Sequence, residues 1–304
     1  MKILAVNVNT TRTMTHSIAE AARAAARPGT EIVELTPSFG ADSVEGSFES
    51  YLAAVGVMDA VVTYDGDFDA VIQAAMDMEA APFLHELAPL GEEETPEAVL
   101  GGSRMTQRFA LGELEGKAVL VVTSGIGLAN AACATARALA LVEAPVVIAA
   151  GTTGGLARDI NVGDIAAGTT AIYGQADATA FGYAPGQIPQ MPVDYASSEA
   201  AAARLDDLTE AIPHRVRVGR ILSSDSFCTQ EHAEPMRRRF PDAIGTDMET
   251  CAMAQVCWSA GVDWISLRAV SDLCEPGADQ AFHMDGARAA SHSADAVAAY
   301  LRML

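Results

Sequence analysis

The sequence is poor in positive charge. Its 304 residues carry 19 Lys and Arg against 40 Asp and Glu, a formal net charge of −21. Lysine is almost absent, at Lys2 and Lys117 alone. Such a balance repels phosphate backbones and anionic headgroups, so neither nucleic acid nor a membrane surface is an expected partner. Metal spacings are missing too. The five cysteines, Cys133, Cys228, Cys251, Cys257 and Cys274, form no CxxC pair, and the six histidines give no HExxH. No GxGxxG or Walker loop occurs, so neither dinucleotide nor triphosphate binding is indicated, and no metal or cofactor is expected. No apolar run reaches membrane-spanning length without a Gly, Asn or charge. The opening MKILAVNV is strand-like rather than a secretory leader. With an odd cysteine count, it fits reduced thiols and a cytoplasmic location.

Half of the residues are apolar, enough to core one large domain, or one domain with an appendage. Strand-like and helix-like periodicities alternate. ILAVNV, TEIVELT, DAVIQAAM, KAVLVVTSG, APVVIAAG, DIAAGTTAIY, VRVGRILSS and VDWISLRAVS read as strands. Between them THSIAEAARAAA, FESYLAAVGVMDAVVTY, MEAAPFLHEL, ANAACATARALALV and ETCAMAQVCWSAG read as helices, and ARAASHSADAVAAYLRML closes the chain. The stretch between MEAAPFLHEL and KAVLVVTSG, with Gly101 and Gly102, reads as a polar, acidic loop. The class is therefore α/β. In such sheets functional groups gather just past the carboxyl ends of strands.

Four acids fall in that kind of place: Glu79, Asp225, Glu249 and Asp272. Each alone has a structural reading: a solvated first-turn acid, an N-cap, a complement to the helix dipole, or a turn. Two or three together suit cleavage of an acetal-like bond, one protonating the leaving group and another activating water. No Ser or Cys nucleophile with a nearby His competes with that reading. Two glycine clusters, SGIG (124–127) and GTTGG (151–155), follow apolar strands and would let backbone approach a ligand closely. The segment DATAFGYAPGQIPQMP (177–192) is unusually apolar for a loop. It reads equally as a core cover or as a subunit contact that walls a pocket.

Seven collinear segments, AMDMEAAPFL, TSGIGLANAA, GTTGGLARDINVGDI, DATAFGYAPGQIP, SSDSF, DMETCAMAQVC and RAVSD, resemble the 5′-methylthioadenosine/S-adenosylhomocysteine nucleosidases of the nucleoside phosphorylase superfamily. They span about residues 70–304. The resemblance implies a three-layer fold with a central mixed, twisted sheet flanked by helices. It implies hydrolysis of an N-glycosidic bond in an adenine nucleoside, and a homodimer. Asp272 would protonate adenine N7, with Ser271 orienting it; burial would keep that acid protonated near neutral pH. Glu79 would deprotonate water below the sugar C1′. Glu249 would hold the ribose 2′- and 3′-hydroxyls, with Met248 lining the sugar and Thr152 beside it. Phe227 would stack on adenine, and the Cys228 backbone would read its edge. Phe181, Pro189 and Phe282 would line the 5′ pocket, the first two from a neighbouring subunit. Arg268 would be a structural ion-pair partner. Thr152–Thr153, Asp247 and Leu128 depart from the residues usual in the family, which leaves substrate preference open.

Residues 1–69 lie outside that likeness. MKILAVNVNTTRTMTHSIAEAARAAARPGTEIVELTPSFGADSVEG resembles the opening of the hydantoin and aspartate/glutamate racemases, and NVNTT their carboxylate-binding loop. Those enzymes use two cysteines, and here none precedes Cys133. A non-catalytic βαβα appendage is the expectation, with residues 70–304 as the nucleosidase domain. Alternatives are a purine nucleoside phosphorylase, a hydrolase of 6-amino-6-deoxyfutalosine or 5′-deoxyadenosine, and a nucleoside-binding module without turnover.

Overall fold

The computed structural model describes residues 2–7, 10–26, 31–38, 68–89, 97–102, 105–275 and 278–304. The chain divides into two compact units: Met1–Asp67 with Ala140–Glu143, and Phe68–Leu139 with Ala144–Leu304. In the first unit, β1 (Lys2–Val6) and β2 (Glu31–Leu35) pair in parallel, joined through α1 (Arg12–Ala25). Arg23 ties the helix to β2. Its guanidinium donates to the Ile32 carbonyl at 3.1 Å and pairs with Glu34 at 2.8 Å. The second expected helix, FESYLAAVGVMDAVVTY, lies outside the described residues.

The second unit is built on an eleven-stranded mixed sheet. Its central strands are β3 (Ala70–Ala74), β6 (Lys117–Thr123), β7 (Val146–Ala149) and β13 (Asp263–Asp272), side by side and parallel. They are buried along nearly their whole length because helices cover both faces of a parallel sheet. Ile72, Val121, Ile148, Ile265 and Leu267 form one core with Val297 and Tyr300. The last two belong to α7 (Ala278–Leu301), which packs along β13 with α2 (Asp77–Glu86) and α4 (Glu199–Ala211) beside it. Helix α3 (Leu128–Leu141) follows β6. Helix α6 (Thr250–Ala260) is buried from Thr250 to Ala254 and again at Cys257, and ends at Gly261, whose φ of 69° closes it. Helix α5 (Gln230–Arg239) precedes β12 (Ala243–Asp247).

Three readings needed correction. The presumed loop before β6 contains β4 (Glu97–Gly102) and β5 (Met105–Leu114), an antiparallel extension of the sheet. Its charged lead-in masks the strand whose Gln107 and Phe109 are buried on either side of an exposed Arg108. GTTGG, read as a glycine cluster after a strand, itself holds one, since β8 (Thr152–Gly155) runs between β12 and β13. The segment AIGTD, which reads as no element in the sequence, is β12. Beyond it the sheet continues through β11 (Val216–Ser223), β9 (Ile165–Tyr173) and the two-residue β10 (Tyr195–Ala196). Among the described residues no helix is long and apolar enough to cross a membrane.

Candidate active site

The sheet register brings distant acids together. Asp272, the last residue of β13, lies opposite Gly154 of β8. Asp247, the last residue of β12, lies opposite Ser223 at the end of β11. Glu79 sits in the first turn of α2, just past β3, and Glu249 is the N-cap of α6. All border one cavity of about 310 Å³. Thr152, Phe227, Cys228, Met248 and Ser271 line it too, so eight of the eleven expected site residues converge.

The three proposed acids are held differently. Glu79, 1% exposed, accepts on both oxygens. Oε1 takes the backbone N–H and the hydroxyl of Thr152, each at 2.7 Å. Oε2 takes the N–H groups of Ala75 and Met76 at 3.0 and 3.2 Å. Glu249 accepts the Gly127 N–H at 2.8 Å on Oε1 and faces Arg268 Nη2 at 3.2 Å from Oε2. Burial pushes its carboxyl up to about 7; Arg268 and Gly127 oppose that rise, while Asp247 and Glu79 add like charge to it. Asp272 accepts the Cys274 N–H at 3.0 Å, and the Ser271 hydroxyl donates to it at 3.0 Å. Burial still drives its carboxyl above the ordinary range. A carboxyl of raised proton affinity and hydrogen-bonded carboxyl acceptors thus border one cavity, an arrangement suited to acid–base cleavage.

The glycine clusters serve these acids. Gly127 has a φ of 104° and points its N–H at Glu249. Gly151, at a φ of 119°, passes so close to Glu79 that a Cβ there would sit 2.4 Å from the Glu79 Cδ. Gly127 and Gly151 thus bring backbone close to the carboxyls, while Gly154 of the second cluster lines the cavity.

Asp225 does not line the cavity. It accepts the Leu128 N–H at 2.8 Å, at the start of α3 and far away in the chain, rather than capping the helix that follows it, whose N-cap is Thr229. Phe181 is 84% exposed and Pro189 is exposed as well; neither reaches the cavity. Phe282 lies in α7, and its side chain is outside the described residues. Among the described residues no group of three His, Cys, Asp or Glu side chains is placed to hold a metal.

Residues 69–302 match the model of the phosphorylase superfamily. Over 198 residues the chain is 36% identical to the 5′-methylthioadenosine/S-adenosylhomocysteine nucleosidase of Staphylococcus aureus (strain JH9), covering 65% of this chain and 87% of that protein. The chain belongs to this superfamily and to its nucleosidase branch. Solved members of the branch have the same fold. The nucleosidase of Neisseria meningitidis, in complex with methylthio-immucillin-A, superimposes with a TM-score of 0.70 at 33% identity, over 77% of this chain and 98% of that one. The S-adenosylhomocysteine nucleosidase of Streptococcus pyogenes, in complex with 5-methylthiotubericidin, gives 0.72 at 26%, over 79% and 99%. The first 68 residues of this nucleosidase-branch chain precede the family match.

Sequence reasoning passed over part of the cavity wall. Ile126, Thr153, Thr246, Asp247, Arg268 and Cys274 also line it. Thr153 and Asp247 are visible in the sequence only as departures from the family pattern. Arg268 does form ion pairs, as expected, with Asp247 at 3.4 Å and Glu249 at 3.2 Å.

Proposed function

We propose that the chain hydrolyses the N-glycosidic bond of adenosyl thioethers, 5′-methylthioadenosine and S-adenosylhomocysteine, to adenine and a 5-thioribose. The observation that carries this reading is the convergence of Glu79, Glu249 and Asp272 on one cavity. In it Asp272 delivers a proton to adenine N7, which turns a poor anionic leaving group into a neutral one. Its raised proton affinity supports that role. Glu79 takes a proton from the attacking water, and its two acceptor oxygens suit a base. Glu249 and Met248 hold the ribose, and Thr152 fixes Glu79 from the sugar side. Phe227 stacks on the purine and the Cys228 backbone reads its edge.

A homodimer belongs to the same reading. The 84% exposure of Phe181 supports it, because an aromatic ring on an apolar loop is suited to covering the 5′ end of a neighbouring cavity. Residues 1–69 are read as a passive racemase-like appendage, and the location as cytoplasmic. The deciding experiment measures adenine release from 5′-substituted adenosines with and without inorganic phosphate. Phosphate-independent release from both thioethers is expected. A rate that requires phosphate would make the chain a phosphorylase. Preference for 6-amino-6-deoxyfutalosine or 5′-deoxyadenosine would move the substrate, and no release from any of them would leave a binding module.

A further inference from the structure

Asp247 has no role in the chemistry above, yet it is the most connected carboxyl in the cavity. Its Oδ1 accepts the N–H groups of Glu249 and Thr250 at 3.2 and 3.1 Å and the Ser223 hydroxyl at 2.6 Å. Its Oδ2 accepts the Thr250 hydroxyl and faces Arg268 Nε at 3.4 Å. Arg268 reaches onward: Nη2 to Glu249 Oε2 at 3.2 Å, and Nη1 to the Thr152 carbonyl at 3.0 Å. Thr152 in turn donates twice to Glu79.

We propose that Asp247 is a positioning residue for the sugar-binding carboxylate, fixing Glu249 through its own backbone N–H and through Arg268. The proposal rests on the reading that Glu249 holds the ribose diol. Capping alone does not account for the arrangement. A cap requires one acceptor oxygen, and asparagine or serine supplies it as well as aspartate does. What only a carboxylate supplies is the partner charge for Arg268, which is 2% exposed. Without Asp247 the guanidinium keeps Glu249 as its one ion-pair partner, with the Thr152 carbonyl on Nη1, and losing one member of a buried charge cluster reorganises the rest. The register supports the same view. Ser223 and Asp247 are Cα partners on β11 and β12, so the sheet fixes the carboxyl before α6 begins. Ser223 also accepts the Cys251 N–H at 2.9 Å, which ties the helix start to the same strand.

Such a residue acts on the sugar and not on the base, and the two separate experimentally. In Asp247→Asn, which keeps the cap acceptor, the KM for 5′-methylthioadenosine should rise at least about tenfold. Inhibition by adenine, which has no sugar, should stay within about twofold. Asp247→Glu restores the charge and should recover most of the loss. If Asp247→Asn does not fold, Asp247→Ser, also an uncharged cap, carries the same expectation. The proposal is overturned if nucleoside and adenine affinities fall together, if neither moves, or if Asp247→Glu is as impaired as Asp247→Asn. Glu249→Ala is the reference. If it lacks the split between nucleoside and adenine, the sugar-binding role of Glu249 is wrong. If it shows the split and Asp247→Asn does not, the Asp247 assignment alone fails.

Discussion

Gly151→Ala tests whether the backbone leading into β8 sets the position of Glu79. Two penalties meet there. Gly151 has a φ of 119°, which a residue with a Cβ rarely adopts, and a sparsely allowed backbone costs about 1–3 kcal/mol. The new methyl would also lie 2.4 Å from the Glu79 Cδ and 2.5 Å from Oε1. Relieving such overpacking costs about 1–3 kcal/mol more. The side chain is the softer party, so Glu79 should shift and lose its bonds to Thr152. A displacement of about 1 Å at a reacting group typically costs about a hundredfold in rate. Adenine release should therefore drop by about that factor, and Tm should fall by several degrees. Gly116→Ala is the control. Gly116 also has a positive φ, 74°, but nothing lies within 4 Å of its would-be Cβ. It should lose a little Tm and no activity. A Gly151→Ala enzyme with wild-type rate and Tm would refute the reasoning, as would equal loss of activity in the control.

Asp272→Asn keeps the acceptor for the Cys274 N–H but not the proton, so turnover should fall at least about a hundredfold with Tm little changed; steady-state kinetics and a melting curve check this. The Glu249 carboxyl moves from an ordinary 4.5 to about 7 on folding. The folded chain thus binds that proton more tightly than the unfolded chain does. The resulting stabilisation is full below about pH 4.5 and is lost as pH rises through about 7. The Tm of wild type minus that of Glu249→Gln should accordingly decline across this window, and a flat difference would contradict the assigned environment. Deleting residues 1–66 should leave adenine release intact if the first unit is passive; an insoluble or inactive product would show that it completes the fold.

The sequence and the structure agree where physics is local. The strands β3, β6 and β7 are legible because apolar runs between turn residues have few other fates, and β13 because its apolar residues are strand formers even with polar ones between them. Helix α6 is legible because its residues are small or apolar apart from Gln255. β12 and β8 are not, since AIGTD and TTGG carry weak strand preference and become strands through pairing on both edges. In the site, side-chain acids at strand ends are readable. The contributions of Gly127, Ala75 and Met76 are made by main-chain N–H groups, which have no sequence signature. Asp247 hides for another reason: an aspartate just before a helix reads as a cap, and its second oxygen is visible only in three dimensions.

The cavity is lined by four carboxyls, Glu79, Asp247, Glu249 and Asp272, against one guanidinium, Arg268. In an enclosed space of low polarity such an imbalance acts strongly on a charged group. Adenine nucleotides share the purine and the sugar of the proposed substrates and differ chiefly in carrying phosphate. On the proposed reading, the excess of carboxyl groups over the single guanidinium should work against a bound phosphate without any contact to the 5′ end. Uncharged or cationic adenosyl compounds pass the same filter.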